Sequence, residues 1–429
     1  MDRKDASRLA RASKGNRAAL LVTGWAHVAP IFGSRVRSEI VHLSIPAGGG
    51  AEARDAATER LGVVASAIVP VGDGTALFYG GELARNKRLP CVLSVAPRTG
   101  VVCDAPLWAG ESDELDATSF CAGAKRGEEF LFFGGLDRYF RVTSLLRSAV
   151  SIRKKTGTSK GKKYLFRSYK ASDDTPSPRY GCSFTYFAES GETFLFGGFT
   201  ASQAGSLAVV ADDAKLYVLS SRDADADPWE RTSPGVWSAV GGATGTGPGP
   251  RGLHACVAIR STLLLGGGLC DPKGPLCAEE VHAFDVDAKV WSTLAFDGPS
   301  VGLRYCHAML HDGDDGVIVF GGSSSVSELP ETTNALQHFR LDGGRASLQA
   351  LAWDGPSSPR CCAVLIPMAA PRPSSTVTFA ICGGYAGSAG RLAPPVSPSN
   401  LFYLTTVEVS LFKRPRDLEF APEPAPEPA

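Results

Sequence analysis

The sequence predicts an all-β chain folded into a seven-bladed propeller, six blades being the alternative count, with four antiparallel strands in each blade. Three observations predict it. An apolar run closed by two glycines recurs along the chain. The copies stand far enough apart for each to hold one four-stranded sheet. The composition is punctuated rather than helical, with 48 Gly, 29 Pro and three Met among 429 residues, and no long stretch has helical periodicity.

The copies read LFYGG (Gly80, Gly81), LFFGG (Gly134, Gly135), FLFGG (Gly197, Gly198), LLLGGG (Gly266, Gly267), VIVFGG (Gly321, Gly322) and AICGG (Gly383, Gly384). The second glycines of successive pairs are roughly 50–70 residues apart, the period of a propeller blade with long loops. An eroded copy, LLVTGW, carries Thr23 and Gly24 in the paired positions, one such period before Gly81, and brings the count to seven.

Each copy reads as strands a to d, with the glycine pair closing strand b. Blade 1 takes Ser7 to Ala12 as strand a, AALLVTG as b and Glu39 to Ile45 as c; its fourth strand has no pattern. Blade 2 runs from Leu61–Val69 through TALFYGG and CVLSV to VVCDAPLW. Blade 3 has SFCAG, EFLFFGG, VTSLLRSAV and KYLFRSY; blade 4 has YGCSFTYF, TFLFGG, KLYVLS and GVWSAV. Blade 5 is the most regular, with HACVAI, TLLLGG, EVHAFDV and KVWSTLAF. Blade 6 gives YCHAML, GVIVFGG, ALQHFRL and LQALAWD; blade 7 gives CCAVLIP, TVTFAICGG, NLFYLTT and VEVSLF. Residues 1–413 are thus expected to form one domain, and 414–429, with alternating Pro and Glu, an extended tail.

Glycine suits the end of strand b because it lets the backbone leave the strand with φ > 0 and lets neighbouring chains approach without a Cβ. Strand d is expected to carry an aromatic plug between blades, and Trp108, Trp237, Trp291 and Trp353 fall there. Arg60, Arg179, Arg251, Arg304 and Arg360 open strand a, and two continue as R-x-x-H, Arg251/His254 and Arg304/His307. This combination of a turn, arginine, histidine, a closing glycine pair and a tryptophan resembles the Kelch repeat family. The likeness is clearest over blades 4 to 7. It departs at Thr23, at blade 3, which has no arginine before strand a, and in the c strands, which lack the usual Asn-Asp lead-in.

No chemistry assembles from the remaining residues. His42, His282 and His338 share a place in strand c, and His254 and His307 share one after the arginine, so a ring spreads them over different blades as packed core residues. The resemblance admits enzymes such as galactose oxidase, yet its tyrosines and two histidines cannot be matched here, nor can the E-x-x-x-D-x-x-x-H pattern of the iron-dependent specifier proteins. There is no G-x-S-x-G. DADAD (Asp223, Asp225, Asp227) has Pro228 where a calcium loop needs glycine, and DGDDG (Asp312 to Gly316) is hairpin chemistry. TGTSKGKK (Thr156 to Lys163) lacks the spacing and hydroxyl of a phosphate loop. No catalytic residue, metal site or cofactor is expected.

Charge is informative only locally, because Lys plus Arg and Asp plus Glu are 44 each. From Arg138 to Ser172 there are eleven positive charges and no acidic residue, densest at Arg153, Lys154, Lys155, Lys160, Lys162 and Lys163 in the c–d loop of blade 3. The c–d loop of blade 4, SRDADADPWE, is acidic. The expectation is that these loops are solvated or neutralise each other, at about 0–1 kcal/mol per exposed pair. The alternative is an arm for an acidic partner: RNA, anionic lipid or an acidic protein.

Eleven scattered cysteines without a C-x-x-C pair point to a reducing compartment, and no apolar run reaches the ~18–20 residues that cross a bilayer. The cytoplasm is expected, with nucleus or organelle as alternatives. The basic segment from Met1 to Arg17 reads as part of blade 1, a transit peptide being the lesser reading. The function expected is a non-catalytic protein-interaction scaffold that binds through its face loops, with any BTB, BACK or F-box adaptor on another chain. An RNA-associated subunit is the second reading and a Kelch-type enzyme the third.

Overall fold

The computed structural model describes residues 35–40, 67–83, 87–88, 92–99, 101–105, 107, 115–152, 163–201, 207–209, 214–221, 233–270, 279–324, 332–342, 344–351, 359–368, 376–386 and 404–410. Among them the strands form six blade sheets, and these keep the numbers 2 to 7 of the sequence copies.

Strands a to d are Ala67–Pro70, Ala76–Tyr79, Val92–Ala96 and Val101–Asp104 in blade 2, and Ala122–Arg126, Glu129–Phe133, Leu146–Ile152 and Lys163–Tyr169 in blade 3. In blade 4 they are Ser183–Phe187, Glu192–Phe196, Leu216–Ser220 and Val236–Ala239. In blade 5 they are Ala255–Ile259, Thr262–Gly266, Val281–Asp285 and Val290–Thr293. Blade 6 has Ala308–His311, Gly316–Phe320, Leu336–Asp342 and Arg345–Leu351. Blade 7 takes Arg360–Pro367, Thr376–Ala386 and Leu404–Ser410 as a, b and c, and Arg35–Ile40 as its outer strand d.

Strand b is apolar at nearly every position because both its faces are covered. In blade 2, Ala76 and Phe78 pack against Ile366, Ala380 and Cys382 of blade 7. Leu77 and Tyr79, pointing the other way, pack against Phe130, Phe132 and Phe166 of blade 3. One core cluster lies at each boundary, from 2/3 through 6/7 and back to 7/2. At two of these boundaries a strand-d tryptophan supplies the plug. Trp237 of blade 4 lies 5.2 Å from the Phe133 ring of blade 3, and Trp291 of blade 5 lies 6.0 Å from Phe196 of blade 4.

Six blades among the described residues therefore close the ring, where the sequence count expects seven. Strand a of blade 7 neighbours strand a of blade 2, and their shared core fills the boundary. The segment expected to supply strand c of blade 1 is used differently. Arg35–Ile40 pairs antiparallel with Leu404–Ser410, Arg35 opposite Ser410 and Ile40 opposite Thr405. Blade 7 also needs that strand, because its expected c and d strands are one continuous strand c, which would otherwise leave an unpaired edge. Ser7 to Ala12 and LLVTGW, with Thr23 and Gly24, lie outside the described residues.

The outer strands are covered in a recurring way. Thr244–Gly245, leaving blade 4, runs parallel to Val290–Trp291 of blade 5. Ala295–Phe296, leaving blade 5, does the same on Arg345–Ala346 of blade 6, and Leu107 bridges Tyr164 likewise.

Candidate functional site

The d–a and b–c loops share one face of the ring, and the glycine pairs and opening arginines meet there. The geometry repeats from blade to blade. The second glycine of one blade donates its N–H to the arginine carbonyl that opens the next: Gly135 to Arg179 at 2.9 Å, Gly198 to Arg251 at 2.8 Å, Gly268 to Arg304 at 2.9 Å and Gly322 to Arg360 at 2.8 Å. Each guanidinium then turns into its own blade and donates Nη1–H to a glycine carbonyl there. These bonds are Arg179 to Gly197 and Arg251 to Gly267, both 3.1 Å, and Arg304 to Gly321 and Arg360 to Gly383, both 3.2 Å. All four arginines are buried. Each one latches two successive glycine pairs together.

The first glycine of every pair from Gly80 to Gly383 has φ between 64° and 68°, and the second between 83° and 104°. In blade 5 the pair with this geometry is Gly267–Gly268, at 66° and 101°, whereas Gly266 is the last residue of strand b. The triple glycine hides that one-residue shift from a count along the sequence.

Blade 3 keeps the backbone half of the latch without its arginine. Thr118 stands in the place of arginine and its carbonyl accepts the Gly81 N–H at 2.6 Å. A guanidinium still arrives, from strand c: buried Arg147 donates to the Asp116 carboxylate from Nε at 3.1 Å and Nη2 at 2.9 Å. Asp116 lies two positions before Thr118, as Gly249 lies two before Arg251, whose Nε bonds to the Gly249 carbonyl. Nothing in the repeat pattern points to Arg147.

Two positions after each latch the chain passes through a left-handed residue: Phe120, Gly181, Leu253, Cys306 and Cys362. Their backbones bond in succession around the axis, N–H to carbonyl: Gly181 to Phe120 at 3.1 Å, Leu253 to Gly181 and Cys306 to Leu253 at 2.8 Å, and Cys362 to Cys306 at 2.7 Å. Only Gly181 is glycine, so four side chains are held in a conformation L-residues rarely adopt. Leu136, Tyr180, Phe199, Leu269 and Tyr305 form an apolar cluster beside them, joined by Phe120, Leu253 and Cys306.

On this face the b–c loop of blade 3 presents Arg138–Tyr139–Phe140–Arg141. Tyr139 is 61% and Phe140 52% exposed, and Phe140 is itself left-handed at φ 63°. The Asp137 carboxylate fixes the loop by accepting the N–H groups of Tyr139 at 2.8 Å and Arg141 at 2.9 Å. Guanidinium carbons of Arg138 and Arg141 stand 4.9 and 5.0 Å from the centre of the Tyr139 ring. Leu303, in the loop entering blade 6, is another exposed apolar side chain on this face.

The histidines are structural in their surroundings. His254 Nε2 and Ser183 Oγ are 2.9 Å apart, and burial together with the Arg251 charge pushes His254 down to about 3. His307 is held well below the usual histidine range by burial and by Arg304. His338 lies 2.9 Å from the Asp312 carboxylate in the a–b turn of blade 6, on the opposite face. Among the described residues no group of three or more His, Cys, Asp or Glu side chains is placed to hold a metal. Burial raises the thiols of Cys121 and Cys256 to about 11 and Cys182 to about 12, which marks them as packing residues.

Lys163 opens strand d of blade 3 and is exposed. Arg153, Lys154, Lys155, Lys160 and Lys162 lie outside the described residues, as do Arg60, His42, Trp108, Trp353 and the DADAD segment. No helix among the described residues is long and apolar enough to cross a membrane. Residues 121–345, more than half of the chain and running from blade 3 to the start of the last strand of blade 6, match the family model described as the KLHDC2/KLHL20/DRC7 Kelch-repeats domain.

Proposed function

The chain belongs to the Kelch-repeat β-propeller family, and from that premise we propose that it is a non-catalytic protein-interaction scaffold whose binding surface is the arginine–glycine face. The observation that carries this reading is the blade 3 b–c loop. Of five large apolar side chains exposed among the described residues, Tyr139, Phe140 and Leu303 sit in loops of this face, while Val236 and Val290 open d strands. A merely solvated loop gains nothing by holding Phe140 left-handed and half out in water. Such strain is supported when an exposed aromatic anchors a partner.

The charges around the anchor suggest the partner's chemistry. Arg141 already pairs with Asp137, at 2.7 Å, whereas the Arg138 guanidinium lies beside the Tyr139 ring. An apolar partner residue seated on Tyr139 and Phe140, with a carboxylate reaching Arg138, matches this surface. The test is quantitative affinity purification of the intact chain against the double variant Tyr139→Ser/Phe140→Asn. Asparagine tolerates the left-handed backbone, so the loop keeps its shape. Loss of co-purifying proteins relative to a Lys163→Glu control supports the reading. An unchanged set of partners overturns it.

A further inference from the structure

We propose that Cys306 and Cys362 form an oxidisable dithiol site at the axis, which a peroxide converts into a disulfide joining blades 6 and 7. The pair is invisible in the sequence because the two thiols stand a whole blade apart along the chain. The axial ring makes them neighbours: each is the left-handed residue of its blade, at φ 53° and 56°, and the Cys362 N–H donates to the Cys306 carbonyl at 2.7 Å.

The side-chain geometry of this step can be read two blades earlier. Gly181 and Leu253 occupy the same two ring positions and make the same hydrogen bond, at 2.8 Å. A Cβ placed on Gly181 would lie 3.4 Å from Leu253 Cγ. Transferred by the blade-to-blade rotation, this sets the Cys306 Cβ beside the γ position of Cys362, which in cysteine is the sulfur. In a disulfide the corresponding separation is about 3 Å, so a small side-chain rotation brings the two sulfurs within bonding reach. Both side chains are part-exposed, so a small oxidant reaches them. Cys361 and Cys382 nearby are buried.

The reaction balances without any group held by the protein. One thiolate attacks a peroxide oxygen, the O–O bond breaks, and an alcohol or water leaves with a proton, giving a sulfenic acid. The second sulfur attacks the first, the S–O bond breaks, and water leaves. Two thiols are oxidised, one peroxide is reduced, and one S–S bond forms.

The experiment treats the reduced full-length protein with hydrogen peroxide, alkylates what remains, and maps peptides by mass spectrometry without reduction. The expected product is a cross-linked pair containing Cys306 and Cys362, two hydrogens lighter than the two peptides and released by dithiothreitol. Cys306→Ser should abolish it and leave Cys362 as a sulfenic acid or a mixed disulfide with added glutathione. Recovery of both residues alkylated, over-oxidation of both without a cross-link, or a Cys361–Cys362 linkage would overturn the proposal. The wild-type map alone decides the matter if the serine variant fails to fold.

Discussion

Replacing Gly197 by alanine should cost far more than replacing Gly191, although both are left-handed glycines, at φ 64° and 72°. At Gly191, in the a–b turn of blade 4, an added Cβ meets nothing within 4 Å. The cost there is the left-handed backbone, about 1–2 kcal/mol, less about 0.4–1 kcal/mol because alanine restricts the unfolded chain, for a net of about 1 kcal/mol. At Gly197 the Cβ would overlap the Arg251 carbonyl oxygen and stand 2.9 Å from His254 Cε1, both in the next blade. That carbonyl has to move, which gives up the Gly198 N–H bond at 2.8 Å and pulls on the Arg251 guanidinium bonds to Gly249 and Gly267, both 3.1 Å. One neutral bond at about 1 kcal/mol and one weakened charged bond at about 2 kcal/mol raise the total to about 4 kcal/mol. For 429 residues, an unfolding entropy of about 2.1 cal/mol/K per residue makes 1 kcal/mol worth roughly 1 °C in Tm. Scanning calorimetry should therefore find Tm about 1 °C lower for Gly191→Ala and about 4 °C lower for Gly197→Ala. Equal losses would refute the latch, leaving only the φ requirement.

Three further outcomes follow from the buried charges. Because His254 stays neutral to about pH 3, the folded protein refuses a proton that the unfolded chain takes below about pH 6.5. Its share of stability is whole above that pH and falls by about 1.4 kcal/mol per pH unit between 6.5 and 3, so His254→Gln should flatten the acid limb of a stability–pH curve. Asp312 titrates below the ordinary carboxylate range. Burial pulls it up, but bonds from His338 and from the N–H groups of Asp314 and Gly316 outweigh burial. Its contribution is present above about pH 4 and lost as pH falls further; Asp312→Asn should lose that contribution at neutral pH and soften the acid fall, measured by urea midpoints. Finally, Asp116→Ala strands the buried Arg147 cation and should cost about 2–3 kcal/mol, whereas Asp297→Ala removes a partner of the exposed Arg345 and should leave the melting curve almost where it was. Indistinguishable melting curves for these two would contradict the role given to Arg147.

What is legible in the sequence is what a single residue type must satisfy locally. Only glycine tolerates both φ > 0 and a neighbouring carbonyl where its Cβ would be, so the pairs announce themselves at each blade. The arginine that opens blades 4 to 7 recurs because its carbonyl and guanidinium serve two blades at once. The seventh copy misleads for the converse reason. Pairing of Arg35–Ile40 with Leu404–Ser410 joins segments from opposite ends of the chain, and a strand carries no local mark of which edge it will complete. The same reasoning explains why the candidate site is hidden. Tyr139 and Phe140 fall in the gap between the expected b and c strands of blade 3 and carry no repeat signature, and their exposure depends on a turn that Asp137 imposes.

The irregular positions of the latch and the axial ring share one physical origin. Where blade 3 opens without arginine a guanidinium from strand c fills the place, and where the axial ring needs a left-handed backbone at a residue other than glycine the backbone bears the strain. Arg147 takes over beside Thr118, and Phe120, Leu253, Cys306 and Cys362 bear the strain around the axis. A closed ring permits this, since each blade is held by two neighbours and a strained residue cannot relax without shifting both. The side chains thereby fixed at the axis, and the exposed aromatic pair of blade 3, are the features that distinguish this propeller from a repetition of its own consensus. The proposed binding role is to be tested there, because the glycine pairs and arginines are already committed to holding the ring together.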